Sequence, residues 1–84
     1  MAAPTCIGEL VRLWREQRGL TQRGLGELLA RSQAWISNIE NGWQDVGREE
    51  FARIADALAI SDEDRARAWR LPVRAAELDV EVAA

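Results

Sequence analysis

Apolar residues recur at helical spacing along most of the chain, in short runs separated by small and polar residues. Ile7, Val11 and Trp14 form one stripe, with Leu20 beyond a turn, which predicts a first helix over about residues 6–18. Leu10 and Leu13 lie beside that stripe and widen its apolar face. Gly19 closes the helix, because glycine accepts the left-handed conformation that a helix end requires. Thr21 then caps a second helix over residues 22–29, with Leu25, Leu28 and Leu29 as its inner face. Gly24 and Gly26 weaken that helix by about 0.8–1 kcal/mol each relative to alanine. A turn, Ala30-Arg31-Ser32, leads to a third helix over residues 33–41, capped by Ser32, carrying Trp35, Ile36 and Ile39, and ended by Gly42.

Trp43 to Gly47 reads as a loop. A fourth helix over about residues 48–59 turns Phe51, Ile54, Ala55 and Leu58 inward. Ser61-Asp62-Glu63-Asp64 is a capping residue followed by acids that suit the positive end of a helix dipole. It predicts a fifth helix over about residues 62–70, stopping before Pro72 because the residue preceding proline disfavours the α region. In the tail, Leu78, Val80 and Val82 alternate like a strand, and Val73, Ala76, Leu78 and Val80 fit a helix poorly. The organisation is one all-α domain of five helices over residues 1–71, with a short acidic C-terminal extension, residues 72–84, available for a dimer or partner contact.

With 84 residues the core is limited: a chain of this size buries only about 60–65% of its unfolded surface. The sequence has no zinc pattern and one cysteine, Cys6, so neither metal nor disulfide adds stability within a monomer. Cys6 reads as a spectator at the start of the first helix, with a redox role as the alternative. The chain has no histidine, hence lacks the commonest general base and metal ligand. The net charge of −3 opposes nucleic-acid binding at first sight. Its distribution is uneven. Residues 1–44 carry five Arg against four Glu, whereas residues 61–84 carry four Arg against six acids. All basic residues are arginine, which suits bidentate phosphate and guanine recognition but follows equally from a GC-rich genome.

The stretch GLTQRGLGELLARSQAWISNIENG, Gly19 to Gly42, resembles the lambda-repressor-like (Xre/Cro) family of helix-turn-helix regulators, and the likeness extends over about Ile7 to Ile60. In that layout one helix braces while the next presents its first turn to the major groove. The resemblance implies base contacts from Gln33, Ala34, Ser37 and Asn38. With no arginine among them, this set suits steps containing A·T pairs. It places Gln22 and Asn41 at phosphates, with Arg23, Arg31, Trp43 and Arg48 as further candidates. Trp35 is placed against sugars or the helix edge. Arg15 and Glu40 occupy positions where the family forms a partly buried ion pair that sets the angle of the recognition helix. The chain departs from the family pattern at Ala30, where glycine is usual, at Arg31, where an aliphatic residue is usual, at Gly26 for alanine, and in the loop, where Trp43, Gln44 and Asp45 replace common basic residues.

These features lead to the expectation of a sequence-specific duplex-DNA-binding regulator of transcription: a homodimer, read as a repressor although the sequence does not decide between repressor and activator, with no cofactor, metal or membrane association. Leu10, Leu13, Trp69, Leu71 and Val73 are the expected dimer contacts, with Trp69 as anchor. No nucleophile–base pair or phosphate-cradling loop points to an enzyme. Clustered Asp62, Glu63 and Asp64 read as a helix start, not as a metal site. The N-terminus MAAPTCIGEL lacks the basic region and apolar run of a secretory signal, which gives a cytoplasmic expectation. The alternative is a protein-interaction module of the same fold that engages a partner through the fifth helix and acidic tail.

Overall fold

The computed structural model describes residues 4–71, which form five helices and, among these residues, no strand. They are α1 (Ile7–Gln17), α2 (Gln22–Leu29), α3 (Gln33–Glu40), α4 (Arg48–Ala57) and α5 (Asp62–Ala68). Val73 and the acidic extension, residues 72–84, lie outside the described residues. Three helices begin where a hydroxyl replaces a missing intrahelical partner. Thr21 Oγ1 accepts from the Gly24 N–H (2.9 Å), Ser32 Oγ from Trp35 (3.1 Å) and Ser61 Oγ from Asp64 (3.2 Å).

Four helices end in one way. A left-handed residue follows, its own N–H reaches back three residues, and the N–H of the next residue reaches back five. The long bonds are Leu20 to the Arg15 carbonyl (3.1 Å), Arg31 to Gly26 (2.8 Å), Trp43 to Asn38 (2.8 Å) and Ile60 to Ala55 (2.9 Å). Glycine occupies the left-handed position at Gly19 (φ 69°) and Gly42 (φ 75°), but alanine does so at Ala30 (φ 56°) and Ala59 (φ 55°). Each alanine bears a strain of about 1–2 kcal/mol. The motif at Ala59 corrects the expected length of the fourth helix, which stops at Ala57. Ile60 is buried by this reversal, and that burial compensates the strain.

The core joins Ile7, Val11 and Trp14 of α1 with Leu25 and Leu29 of α2, Ile36 and Ile39 of α3, and Phe51, Ile54 and Ala55 of α4, closed by Val46, Leu58, Ile60 and Ala68. Leu28 is not part of it. Expected on the inner face of α2, it is 59% exposed, because Leu25 and Leu29 sit one turn apart on the buried side and leave Leu28 rotated outward. Two glycines set how closely helices approach. A Cβ on Gly8 would overlap the Ile39 carbonyl oxygen, so α1 crosses the end of α3 at that residue. A Cβ on Gly26 would lie 2.7 Å from the Arg31 carbonyl oxygen, so glycine lets α2 touch the backbone that enters α3.

Arg15 and Glu40 meet within this frame. Arg15 Nε donates to Glu40 Oε2 (2.7 Å) and Arg15 Nη2 to Glu40 Oε1 (3.1 Å), in the two-pronged geometry that suits a guanidinium and a carboxylate. Their side chains are 10% and 2% exposed. Arg15 Nη1 donates to the Leu20 carbonyl (2.7 Å), and Gln22 Nε2 donates to Glu40 Oε1 (3.1 Å). The hydrogen bond to Glu40 raises the Arg15 pKa above its ordinary value against the opposing effect of burial, so Arg15 stays charged. The network ties α1, the start of α2 and the end of α3 together.

Two stability outcomes follow. Ala59→Gly relieves left-handed strain of about 1–2 kcal/mol and returns about 0.4–1 kcal/mol of unfolded-state freedom. Its thermal midpoint should rise by a few degrees, and a lower midpoint would refute the strain. Glu40→Ala leaves the Arg15 charge buried without its partner and should lower the free energy of unfolding by about 3–5 kcal/mol. In urea unfolding, Arg15→Met/Glu40→Leu should lose less than the two single variants combined. Strict additivity would mean that the two groups are energetically independent.

Candidate nucleic-acid interface

In α3 the buried side is Ile36, Ile39 and Glu40. Gln33, Ala34, Ser37 and Asn38 fall at successive and one-turn spacing on the other side, with Gln33 and Ala34 exposed and Ser37 and Asn38 half-buried. The structure therefore brings the four expected base-reading residues onto one surface. Ser37 is also linked forward, since Asn41 Nδ2 donates to its Oγ (3.2 Å) and so ties the end of α3 to the same surface.

The electrostatic setting distinguishes α2 and α3 from the other helices. Glu9 lies in the first turn of α1, Glu49 and Glu50 in that of α4, and Asp62, Glu63 and Asp64 in that of α5. The first turns of α2 and α3 contain no acid. Beyond the Thr21 and Ser32 caps, no carboxylate of their own first turns offsets the positive dipole ends, although Glu40 reaches the Gln22 amide at the start of α2; such an end favours an external anion.

The expected phosphate residues have differing surroundings. Gln22 is half-buried with its amide nitrogen on Glu40, so it braces the helix pair as well as standing at the α2 N-terminus. Glu40 lies within reach and takes this donor, a contact that the sequence did not signal. Arg23 pairs with Glu27 one turn on (3.4 Å) in an exposed ion pair. The Arg31 guanidinium lies over the Trp35 ring, 4.6 Å from its centroid. Trp35, expected against sugars or the helix edge, is half-buried against the core with Arg31 on its face. Trp43 is 76% exposed, although its N–H is anchored to Asn38. Arg48 lies over the Trp69 ring at 5.8 Å.

Three further arginines were not singled out from the sequence. Arg18 Nε donates to the Leu58 carbonyl (2.7 Å), Arg53 Nη2 to Leu29 (3.3 Å) and Arg65 Nε to Ile60 (2.9 Å). Each reaches a carbonyl close to a helix end, so these cations serve the fold through one edge. No local spacing signals the first two, which link residues far apart in sequence.

The expected dimer residues separate. Leu10 and Leu13 are half-buried and line a groove of about 500 Å³ between α1 and α5, together with Trp14, Ala68 and Leu71. Trp69 is anchored in its own chain, with its ring 4.7 Å from that of Phe51, which in turn lies 6.0 Å from Trp14, and it remains 40% exposed. The short α5 delivers it to the core's edge, and the exposed part of the ring is left for the expected dimer contact. Cys6 is buried at the start of α1. Among the described residues, no group of acids and cysteine is arranged to hold a metal ion, and no helix is long and apolar enough to cross a membrane.

Comparison with known proteins matches this arrangement to regulators. The clp gene regulator ClgR from C. glutamicum superposes with a TM-score of 0.69 at 30% identity, covering 76% of this chain and 83% of that one. The restriction-modification controller protein C.AhdI from Aeromonas hydrophila gives a TM-score of 0.65 at 25% identity, covering 70% of this chain and 89% of that one. Antitoxin HipB of Escherichia coli O6:H1 is 34% identical over 59 residues, which span 70% of this chain and 63% of the relative's length. The K12 strain's Antitoxin HipB is also 34% identical, with 67% of its length covered. The helix-turn-helix domain family matches residues 7–68, almost the whole described fold, and with five helices in the lambda-repressor-like arrangement this chain belongs to that family.

Proposed function

We propose that this protein binds duplex DNA in a sequence-specific manner as a homodimeric regulator of transcription, acting as a repressor in the cytoplasm. The observation that carries the reading is the surface of α3. It presents Gln33, Ala34, Ser37 and Asn38 together on a helix whose first turn holds no acid. Glutamine and asparagine pair bidentately with adenine, and an alanine methyl packs on the methyl of thymine, so this set reads A·T-containing steps in the major groove. Gln22, Arg23, Arg31, Asn41, Trp43 and Arg48 are the proposed contacts to the sugar–phosphate backbone, and they set the register. Arg15 and Glu40 hold the angle of α3 from behind.

The proposed dimer uses the groove between α1 and α5. Leu10, Leu13 and Leu71 contribute apolar surface there; the exposed part of Trp69 and, outside the described residues, Val73 are the further proposed contacts. Two α3 helices related by a two-fold axis would read half-sites about 34–36 Å apart. A second reading, a module that engages a protein partner through its C-terminal region, draws on the similarity to an antitoxin and on the net charge of −3. Selection of bound sequences from a random duplex pool tests the first reading directly, because enrichment of a two-fold site requires both base readout and a dimer.

On the selected site, Gln33→Ala and Asn38→Ala should each weaken binding by about 1–3 kcal/mol, with affinity for random duplex almost unchanged. Equal losses on both DNAs would show that neither side chain reads a base. Leu13→Glu places a charge in the α1–α5 groove and should convert a dimer to a monomer in light scattering while weakening operator binding. A parent protein that scatters as a monomer at high concentration and still binds the two-fold site tightly would rule out this dimer.

A further inference from the structure

We infer that Trp35 acts in DNA binding as a positioning residue, holding the Arg31 guanidinium as a preformed phosphate clamp beside the start of α3; this rests on the DNA-binding reading above. Arg12, Arg23, Arg65 and Arg67 face carboxylates in ion pairs. Arg31 instead lies on an aromatic face, 4.6 Å from the ring centroid. A carboxylate takes up the N–H edge of a guanidinium, the edge that a phosphate needs. An indole face engages the flat side and leaves that edge available. Stacking also removes rotamer freedom before any ligand arrives, so less entropy is lost when the contact forms.

The backbone sets the location of the clamp. Ala30 takes the left-handed conformation, the Arg31 N–H returns to Gly26 (2.8 Å), and Ser32 caps α3 by accepting from Trp35. Arg31 and Trp35 are four residues apart across this start, and Trp35 packs against the core, so the platform is fixed. Leu29, Glu50 and Arg53 line the crevice beside the pair. Arg53 is bonded to the Leu29 carbonyl, and the Glu50 carboxylate lies beside Gly47 at the start of α4. The cation therefore stands next to an acid-free helix N-terminus, where a DNA strand flanking a bound α3 would carry its phosphates. In this arrangement Trp35 neither stacks on a base nor touches the sugar.

The test is a double-mutant cycle on the full chain, with binding to the selected site and to random duplex measured at several salt concentrations. Arg31→Ala should weaken both DNAs alike and make the slope of log K against log salt shallower by about 0.9 per protomer. Trp35→Leu should weaken binding about two- to fivefold when Arg31 is present and leave it unchanged in the Arg31→Ala background. Trp35→Phe, which keeps an aromatic face, should restore most of the loss. Urea midpoints for each variant separate these effects from unfolding. A Trp35→Leu loss of equal size in both backgrounds overturns the clamp, as does an Arg31→Ala variant with an unaltered salt slope. A parent protein that binds no duplex instead overturns the DNA-binding reading itself.

Discussion

The contact on which this fold depends is the buried pair Arg15–Glu40. Two charges removed from water are stable only when their remaining donors and acceptors are satisfied, and here the Leu20 carbonyl and the Gln22 amide satisfy them. The partners come from the last turn of α1, the turn after it, the first residue of α2 and the last residue of α3. A rotation of α3 would break several charge-assisted bonds at once, whereas an apolar contact would permit some sliding. Gly8, which lets α1 meet the end of α3 without a side chain between them, acts with the pair. For the proposed base readout, a specified helix angle would matter more than net stability, because base edges are met only by a helix that is closely placed.

Hydrogen bonding at the helix ends complements this internal tie. Short helices have a large fraction of their backbone groups at the ends, so a protein built from helices of 7–11 residues depends heavily on how those ends are closed. Hydroxyl caps at three starts and paired return bonds at four ends satisfy those groups locally. Long-range arginine-to-carbonyl bonds from Arg18 and Arg53 then join ends that are distant in sequence. The apolar core holds the helices together, while the polar closures decide where each one stops.

Much of this was legible in the sequence, and the failures have specific causes. Thr21, Ser32, Gly19 and Gly42 declare helix limits because their chemistry is local, and α2 falls at its expected residues. Ala59 was invisible as a helix terminator, because alanine is the best helix former and carries no local signal for the left-handed conformation it adopts. Leu28 was misplaced because three leucines in five positions satisfy an apolar stripe in more than one rotation. Of the candidate interface, the α3 surface followed from helical periodicity together with the family resemblance, which alone turns that face toward DNA. The partners of Arg31, Gln22 and Trp69 did not, since side-chain pairing depends on which group lies within reach after folding. An arginine four residues before a tryptophan is the one signal that would have marked the Arg31–Trp35 contact in advance.

The uneven placement of acids has a consequence for kinetics. Among the described residues, five carboxylates cluster in the first turns of α4 and α5, and none lies in those of α2 and α3. A body of net charge −3 is repelled by a polyanion in most orientations, and attraction remains only where its positive surface leads. For the proposed complex, such a protein would linger little on arbitrary stretches of chromosome and would exchange rapidly with the surrounding solution. Its occupancy of a target would then depend on complementarity at that target, with little reservoir of loosely held molecules along neighbouring DNA. Fidelity of this kind comes from weak general attraction, and it would be gained at the expense of search speed.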